Sequence, residues 1–306
     1  MTTLVFGHKS PDTDSTGSPI IWAWYLKQIK GIDAKAVLLG DPNTEALFVL
    51  DHWRLEKPQI LTTLAADTPV VIVDTNNPGE LPENINEADI QGIIDHHRLV
   101  AGLETRGPIE IDIQPLACTA TIMWKKIGKD WAQAPRQIKG AALSCILSDT
   151  LAFRSPTTTQ EDKAIACAIA EELDIDINAY ADQMFAAKSD VSAFSEAELL
   201  RMDSKEFTLG DRALRVSVLE TTAPKPLLAR KQDLMQAMPT VAREDGAAEV
   251  LLFIVDIVKE EATLLVPNDT VKAIAEKSFQ VTVNSDHVVL PGVMSRKKQI
   301  IPALKL

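Results

Sequence analysis

The chain is poor in cysteine, and the few cysteines it has form no recognisable metal-binding or redox pattern. Cys118, Cys145 and Cys167 are the only three among 306 residues, and no two of them form a C-x-x-C pair. An odd number without such spacing argues against a disulfide framework and suits a reducing compartment. Because free cysteine is among the most buried residue types, we expect all three side chains in the apolar core.

Positive charge and long apolar runs are also scarce. Lysine and arginine number 31 against 43 acidic residues, which gives a formal net charge of −12. Binding to nucleic acid or to an anionic membrane depends on basic patches, so we expect neither partner. The longest apolar run, residues 250–258, contains Asp256 and is too short to span a bilayer. Since the N-terminus lacks a secretory type of segment, the sequence predicts a soluble cytoplasmic protein.

Residues 1–187 contain a regular alternation of short apolar segments with longer helical ones. This alternation predicts an α/β domain built on a doubly wound, mainly parallel sheet. The predicted strands are 3–7, 35–39, 70–74, 91–95 and a weaker 109–112, and the predicted helices are 15–30, 44–54, 119–126, 135–147 and 159–173.

A polar segment at residues 188–195 ends this alternation, and we predict a linker there. Residues 196–306 are expected to form a smaller, mixed α/β domain. Its predicted strands are 205–209, 214–220, 250–259 and 263–266, and its predicted helix is 227–243.

The first predicted strand runs into a segment rich in potential metal ligands. His8, Asp12 and Asp14 lie within seven residues, where the strand gives way to a turn and then to a helix. In open α/β sheets, ligands bind beyond the carboxyl ends of the strands, and imidazole with carboxylate is an ordinary ligand set for a transition metal. Acidic residues also stabilise a helix N-terminus through the helix dipole. This segment alone does not distinguish the two interpretations.

Two further strand ends carry the same kinds of side chain. Asp74 follows one apolar strand, and Asp95, His96 and His97 complete and follow the next one. Taken alone, Asp74 could simply end its strand and cap the following turn. Since the chain has only five histidines, the position of three of them at predicted strand ends favours a metal site.

Asp149 and a basic cluster near the C-terminus complete the candidates. Asp149 follows a predicted apolar helix, where a simple turn residue is the alternative interpretation. Arg296 and Lys297 follow the segment 288–292, so we expect them in a turn where side chains can converge. A run of charges is commonly no more than a solvated surface, but arginine beside lysine also suits the oxygens of a phosphate. Lys205 is a weaker candidate for the same role.

Together, the first domain offers six carboxylate or imidazole ligands and no sulfur ligand at these positions. Six ligands are too many for one ion, whereas one bridging carboxylate would hold two ions. Two ions about 3.5–4 Å apart are typical of enzymes that hydrolyse phosphoric esters or anhydrides. The basic cluster of the second domain would suit the anionic substrate of such an enzyme.

Five segments together resemble the family II inorganic pyrophosphatases, the manganese-dependent members of the DHH phosphoesterase superfamily. In the family's order and spacing, they are residues 8–15, 73–74, 95–97, 148–150 and 295–299. The first and third segments are typical of the superfamily, and the last (SRKKQ) is typical of the pyrophosphatases within it. The resemblance implies hydrolysis of pyrophosphate to two orthophosphates by a hydroxide that bridges two metal ions.

The resemblance also implies a role for each matching residue. The implied residues are His8, Asp12 and Asp74 for one ion; Asp14, Asp74, His96 and Asp149 for the other; and Lys9, His97, Lys205, Arg296 and Lys297 for the substrate. The catalytic roles would fall to Asp14, His97, Arg296 and Lys297. Enzymes of this family are cytoplasmic homodimers that bind two Mn²⁺ per subunit, accept Co²⁺, and take up a further Mg²⁺ or Mn²⁺ with pyrophosphate.

The chain departs from the family pattern at two positions. Ser10 stands where the family usually has asparagine, and Thr75 stands where many members have histidine. We expect a changed metal affinity or rate from these differences, with the function retained. The chain also lacks the nucleotide-binding insertion of regulated members, so we predict no control by adenine nucleotides.

Two alternatives to a pyrophosphatase stay open. The first is a DHH-type phosphodiesterase or exopolyphosphatase, although the chain lacks the Gly-Gly-His type of motif found in the second domain of those relatives. The second is a metal-binding or phosphate-binding regulator without catalysis, although every expected ligand position is filled. A metal assay together with a turnover assay would distinguish them.

Overall fold

The computed structural model describes residues 1–210 and 212–305, which fall into two compact units. The first unit comprises Met1–Ala187 and the second begins at Lys188. The segment predicted as a linker, residues 188–195, therefore lies at the start of the second unit. In the described part of the chain, no helix combines the length and the apolar character that crossing a bilayer requires.

A six-stranded parallel sheet forms the centre of the first unit. Its strands are β1 (Thr3–Phe6), β2 (Ala34–Leu38), β3 (Gln59–Ile60), β4 (Pro69–Val73), β5 (Asp89–Asp95) and β6 (Glu110–Ile113). They lie in the order β3-β2-β1-β4-β5-β6, and each adjacent pair is parallel. The order reverses between β1 and β4, at the kind of switch point where doubly wound sheets bind ligands. The predicted fold class is confirmed, and β3 is an unpredicted addition.

Six α-helices accompany this sheet within the described residues. They are α1 (Thr13–Gln28), α2 (Thr44–His52), α3 (Thr119–Ile127), α4 (Arg136–Asp149), α5 (Gln160–Leu173) and α6 (Ile177–Lys188). The sequence did not predict α6. The predicted end of α4 was also wrong, because the helix runs through Asp149, so that this residue is the last of the helix and not part of a turn after it.

Close packing of α1 against α4 brings distant parts of the chain together in the first unit. A Cβ atom on Gly17 of α1 would lie only 2.4 Å from Sγ of Cys145 on α4, so the contact depends on the missing side chain. Most of α1 is buried, including Ile21 and Trp22. Because α1 starts, and α4 ends, with candidate ligands, this packing helps to set the distance between those ligands.

The second unit is built on a mixed five-stranded sheet. Its strands are β7 (Ser204–Leu209), β8 (Arg212–Thr221), β9 (Glu249–Asp256), β10 (Glu261–Leu265) and β11 (His287–Pro291). They lie in the order β11-β10-β9-β8-β7, in which only the β8–β9 pair is parallel. The predicted mixed α/β character is confirmed. Alternate residues of β9 belong to two different apolar clusters, which explains why this strand is an uninterrupted apolar run.

The helices of the second unit are more numerous than predicted. They are α7 (Glu196–Met202), α8 (Lys225–Ala229), α9 (Lys231–Glu244), α10 (Asp269–Phe279) and α11 (Ile301–Ala303), with a π-helical turn at Arg296–Ile300. The single helix predicted at 227–243 is divided between α8 and α9. The sequence did not predict α7, α10 or β11.

The expectation that all three cysteines lie in the core is wrong for one of them. Cys118 and Cys145 are fully buried, whereas Cys167 is exposed. Cys167 lies on α5, where Ala166 and Ala170 face the core. Cys167 lies on the opposite, exposed side of α5. A cysteine among apolar residues in the sequence is therefore not necessarily buried.

Candidate metal centre

Three neighbouring strands end at one edge of the first sheet, and candidate ligands follow them. His8 comes after β1, Asp74 directly after β4, and His96 directly after β5. Because the strands are parallel, their carboxyl ends meet at the same edge. His8 Nε2 lies 3.5 Å from Asp74 Oδ2, and His96 Nε2 lies 3.3 Å from Asp74 Oδ1. Asp74 therefore has one carboxylate oxygen toward each histidine.

The predicted metal ligands form two groups at this edge. In each group every residue offers one ligand atom, and these atoms lie within 4.8 Å of one another. The groups are His8, Asp12 and Asp74, and Asp14, His96 and Asp149. Since Asp74 of the first group also faces His96 of the second, its carboxylate lies between the two groups.

The loop from β1 to α1 fixes His8 and Asp12 through the first turn of the helix. Asp12 is the N-cap of α1, and its Oδ1 accepts a 2.9 Å hydrogen bond from the N–H of Ser15. Ser15 Oγ in turn accepts a 2.7 Å hydrogen bond from the N–H of His8. A Cβ on Gly7 would lie 2.0 Å from Ser15 Oγ, so this approach requires glycine. Asp12 Oδ2 remains 3.8 Å from His8 Nε2, so helix capping and metal binding are compatible.

Asp14 is held from two sides. Its Oδ1 accepts a 2.6 Å hydrogen bond from Ser18 Oγ, and its Oδ2 accepts a 2.7 Å bond from the N–H of Thr119 at the start of α3. The Thr119 hydroxyl also donates to Asp74 Oδ1 at 3.3 Å. Sequence reasoning missed Thr119, because nothing in its spacing signals a contact with residues 45 and 105 positions away.

Crowded carboxylates dominate the electrostatics of this edge. Burial, reinforced by the charges of Asp14, Asp12 and Asp149, raises the pKa of Asp74 well above its usual range. Burial and the charges of Asp14 and Asp12 likewise raise the pKa of Asp149. Burial lowers the pKa of His8, but the hydrogen bond and the charge of Asp12 outweigh it, and the net direction is upward. A cationic ligand would relieve the repulsion among these carboxylates.

The unsatisfied acceptors and the donor chemistry fit divalent metal ions. Oδ2 of Asp74 and Oδ2 of Asp149 are buried and accept no hydrogen bond from any residue that the structure describes. Buried polar atoms without a partner are uncommon and call for an explanation. Imidazole nitrogens and carboxylate oxygens without sulfur suit ions such as Mn²⁺ and Co²⁺. The donor set of each group therefore suits such an ion, and the Asp74 carboxylate lies between the two groups.

Hydrogen bonds at Nδ1 orient the two histidines that follow β5. His96 Nδ1 lies 3.2 Å from the carbonyl oxygen of Leu116, which leaves Nε2 available as a ligand. His97 Nδ1 lies 2.9 Å from Oδ1 of the buried Asp95, and the other oxygen of Asp95, Oδ2, accepts a hydrogen bond from Asn76. The hydrogen bond with Asp95 raises the pKa of His97. Burial raises the pKa of Asp95, but the hydrogen bonds from His97 and Asn76 lower it overall.

Two cavities open beside the ligand groups, and the exposed His97 lines both of them. One has a volume of about 420 Å³, and the other about 410 Å³. The first is lined by ligands of both groups and by Arg98 and Thr157, and the second by His8, Lys9, Ser10 and Glu80. The structure thus places the predicted substrate residue Lys9 beside a ligand. Arg98, Thr157 and Glu80 were not predicted.

The two departures from the family pattern are both close to the second cavity. Ser10 lines it directly. Thr75 is buried, and its hydroxyl donates a 2.6 Å hydrogen bond to Glu80 Oε2. The carbonyl of Glu80 accepts a 2.9 Å bond from the N–H of Lys9. Thr75 therefore fastens the Pro78–Glu80 turn to the end of β4, which is a structural use for its hydroxyl.

Among the predicted substrate cations of the second unit, Arg296 contacts the residue directly before β7. Arg296 begins the π-helical turn, and its Nη1 donates a 2.8 Å hydrogen bond to the carbonyl of Asp203. Its Nη2 also forms a 2.7 Å ion pair with Asp203 Oδ1. Asp203 lies two residues before Lys205 of β7, so the structure brings Arg296 to the strand that carries Lys205. Lys297 is exposed on the same turn. The role of Asp203 was not predicted.

Two family models and full-length relatives match this chain. The model of the DHH family N-terminal domain matches residues 2–150, and the model of the DHHA2 domain matches residues 182–306. A protein from Lactobacillus helveticus called "Probable manganese-dependent inorganic pyrophosphatase" is 35% identical, over 98% of this chain and 97% of its own. A protein of the same name from Staphylococcus carnosus is 37% identical, over 99% and 97%.

A solved structure agrees with these relatives. It is the crystal structure of a Methanococcus jannaschii protein assigned to the family II inorganic pyrophosphatases, and it is 32% identical to this chain. The two structures superpose with a TM-score of 0.61, over 99% of this chain and 98% of the other. The similarity therefore includes both units of the fold, not the metal-ligand motifs alone.

Proposed function

The chain belongs to the manganese-dependent inorganic pyrophosphatases of the DHH family, and from this premise we propose that it hydrolyses pyrophosphate to two orthophosphates at a pair of metal ions in its first unit. It is accordingly an enzyme, an inorganic diphosphatase. The observation that carries the two-ion proposal is the position of Asp74, with one carboxylate oxygen toward His8 and the other toward His96.

We assign the metal ligands to the two groups around Asp74. One ion is held by His8, Asp12 and Asp74, and the other by Asp14, Asp74, His96 and Asp149. The relatives' names support Mn²⁺ as the ion. We propose that two ions bind per chain, that Co²⁺ can replace Mn²⁺, and that a further Mg²⁺ or Mn²⁺ accompanies pyrophosphate.

The residues around the ions share the proton transfers. When bound, two divalent ions would lower the pKa of a water molecule and offset the charge of the phosphoryl oxygens. To Asp14, which is held by Ser18 and Thr119, we assign the role of accepting the proton of the attacking water. Asp95 holds Nδ1 of His97 and raises its pKa, so that the imidazolium can donate from Nε2 to the leaving phosphate.

Cationic side chains would stabilise charge as it spreads over the phosphoryl oxygens. We assign this role to Lys9, Lys205, Arg296 and Lys297. A guanidinium has five N–H donors, and the contacts with Asp203 engage Nη1 and Nη2 of Arg296, so donors remain for a phosphate. The orientation of Arg296 by Asp203 supports this assignment.

The remaining family properties stay proposals of the same kind. We propose that the protein is a cytoplasmic homodimer without control by adenine nucleotides. Size-exclusion chromatography with light scattering measures the oligomeric state. Pyrophosphatase assays with added ADP or ATP measure the response to adenine nucleotides. A monomer in solution would contradict the proposed homodimer. A change in rate with ADP or ATP would contradict the proposed lack of nucleotide control.

The test of the reaction is phosphate release by metal-stripped protein. The protein is reloaded with Mn²⁺ or given Mg²⁺ alone, and is assayed with pyrophosphate, a short polyphosphate and a cyclic dinucleotide. We expect fast release from pyrophosphate and a much higher rate after Mn²⁺ loading. Little turnover of pyrophosphate with clear cleavage of another substrate would indicate a phosphodiesterase or exopolyphosphatase instead. No turnover of any substrate by metal-loaded protein would indicate a regulator.

A further inference from the structure

One fully buried carboxylate near the metal centre has no part in the mechanism described so far. Glu45 lies in the first turn of α2 and is 0% exposed. It belongs to neither ligand group. Burial of a carboxylate is costly unless hydrogen bonds or nearby cations compensate for the lost solvation.

The hydrogen bonds of Glu45 connect the two segments that carry the acidic ligands. Its Oε2 accepts a 3.0 Å hydrogen bond from the hydroxyl of Thr13 and a 2.8 Å bond from the hydroxyl of Ser148. Thr13 stands between Asp12 and Asp14, and Ser148 directly precedes Asp149. A single oxygen atom therefore joins the start of α1 to the end of α4.

The two ligand groups depend on this connection to different degrees. In the group of Asp14, His96 and Asp149, two carboxylates come from the two segments that Glu45 joins. The other group takes His8 and Asp12 from one continuous segment and uses no residue of α4. Without an ion between them, Asp14 and Asp149 repel each other. A link between α1 and α4 opposes their separation.

We propose that Glu45 is a positioning residue, which holds Asp14 and Asp149 at the spacing that one of the two metal ions requires. This inference rests on the proposed metal site. A role in the general stability of the fold would affect the binding of both ions, whereas the proposed role affects the binding of one ion only. Loss of a hydrogen-bonding partner behind metal ligands typically lowers metal affinity by about 10–100-fold, and we expect about tenfold here because Glu45 acts through residues adjacent to the ligands.

The test is a Mn²⁺ binding isotherm of the metal-stripped protein, measured by equilibrium dialysis for the wild type and three variants. Glu45→Ala should lower the affinity for one of the two Mn²⁺ ions about tenfold and leave the affinity for the other within about twofold of the wild type. Glu45→Gln keeps an oxygen that accepts from both hydroxyls and should retain both affinities within about threefold. Ser148→Ala removes one hydrogen-bond donor with little change in volume. It should lower the affinity for the same ion by a smaller factor.

Asp256→Ala is the matched control. Asp256 is also buried, and its Oδ1 accepts hydrogen bonds from the N–H groups of Val258 and Lys259, neither of which borders a ligand. This variant should unfold at a lower temperature than the wild type with both Mn²⁺ affinities unchanged. If Glu45→Ala fails to fold, Ser148→Ala and Glu45→Gln still decide the question.

Several outcomes would overturn the inference. Wild-type affinities in both Glu45→Ala and Ser148→Ala would show that the link is not needed. An equal loss of affinity for both ions in Glu45→Ala would indicate a general loosening of the fold. An equal loss of affinity in Glu45→Gln and Glu45→Ala would indicate an effect of charge and not of position. A wild-type protein that binds no Mn²⁺ would instead overturn the proposed metal site itself, which separates the two failures.

Discussion

Replacement of Asp74 by asparagine should stabilise the metal-free protein and abolish its response to metal. Asp74 is 2% exposed, and one of its oxygens lies within 4.8 Å of an oxygen of Asp12. At that distance two unit charges repel by about 3.5 kcal/mol at an effective dielectric constant of about 20. Because proton binding by Asp74 relieves part of this repulsion, we expect the Asp74→Asn variant to gain roughly 1–3 kcal/mol at pH 7.

The gain should depend on pH in a defined direction. The pKa of Asp74 is raised in the folded metal-free protein. A raised pKa means that the wild type loses stability as the pH rises above the ordinary aspartate range, about 4, until the folded pKa is passed. Below about pH 4 the group is protonated in both the folded and the unfolded wild type, so the advantage of Asp74→Asn should disappear there.

Mn²⁺ should reverse the order of stabilities. An ion at 100 times its dissociation constant stabilises a folded protein by about 2.7 kcal/mol, so two ions would contribute about 5.4 kcal/mol. Only the wild type should gain this, and it exceeds the advantage of the metal-free variant. The control is Asp95→Asn, another buried aspartate, whose pKa is lowered by its hydrogen bonds despite burial. Removal of the Asp95 charge should therefore destabilise the metal-free protein at pH 7, opposite in sign to Asp74→Asn.

Thermal unfolding of the metal-stripped proteins at pH 4 and pH 7, with and without Mn²⁺, measures these differences. Each kcal/mol corresponds to roughly 2–4 °C for a unit of this size. A metal-free Asp74→Asn variant that melts below the wild type at pH 7 would refute the electrostatic reasoning. A variant that Mn²⁺ stabilises as strongly as the wild type would refute the role of Asp74 as a shared ligand.

Three further substitutions test other parts of the account. His97→Asn should lower kcat by about 10²–10⁴-fold with two Mn²⁺ retained in dialysis; loss of an ion would make His97 a ligand instead. Asp203→Ala should raise KM for pyrophosphate about tenfold, or about 1.4 kcal/mol, at nearly constant kcat, because Arg296 loses its ion pair; an unchanged KM would contradict this. Trp53→Phe removes the N–H that donates to the Tyr180 hydroxyl at 2.7 Å, so urea denaturation should show a loss of about 1–2 kcal/mol; an unchanged midpoint would contradict this.

The parts of the fold that the sequence predicted are those with strong apolar patterns. Buried parallel strands such as β1 and β4 are short apolar runs, and their ends were located within one or two residues. The missed strand β3 has only two residues and no pattern of its own, because it is defined by pairing with β2. The missed helix α10 has a readable apolar spacing at Val271, Ile274 and Ala275 with an N-cap at Asn268, so this omission was avoidable.

The candidate site divides in a similar way. Ligands after β1, β4 and β5 follow from the geometry of parallel strands, whose ends must meet at one edge. Asp149 lies on a helix, so the geometry of the strands did not place it, and its assignment to a particular ion came from the family resemblance. The role of Glu45 could not be predicted from the sequence. An acidic residue in the first turn of a helix is ordinarily explained by its interaction with the helix dipole, and Ser148, which Glu45 contacts, lies 103 positions away. The link between Asp203 and Arg296 was hidden for the same reason.

The central claim, that one carboxylate joins two metal ions, is tested most directly by electron paramagnetic resonance of metal-stripped protein titrated with Mn²⁺. We expect saturation at two ions per chain and the spectrum of an exchange-coupled pair as the second ion binds, because the two ions of such sites lie about 3.5–4 Å apart. Asp74→Asn should lose that coupled spectrum. Saturation at one ion, or two ions with independent spectra in the wild type, would contradict the claim.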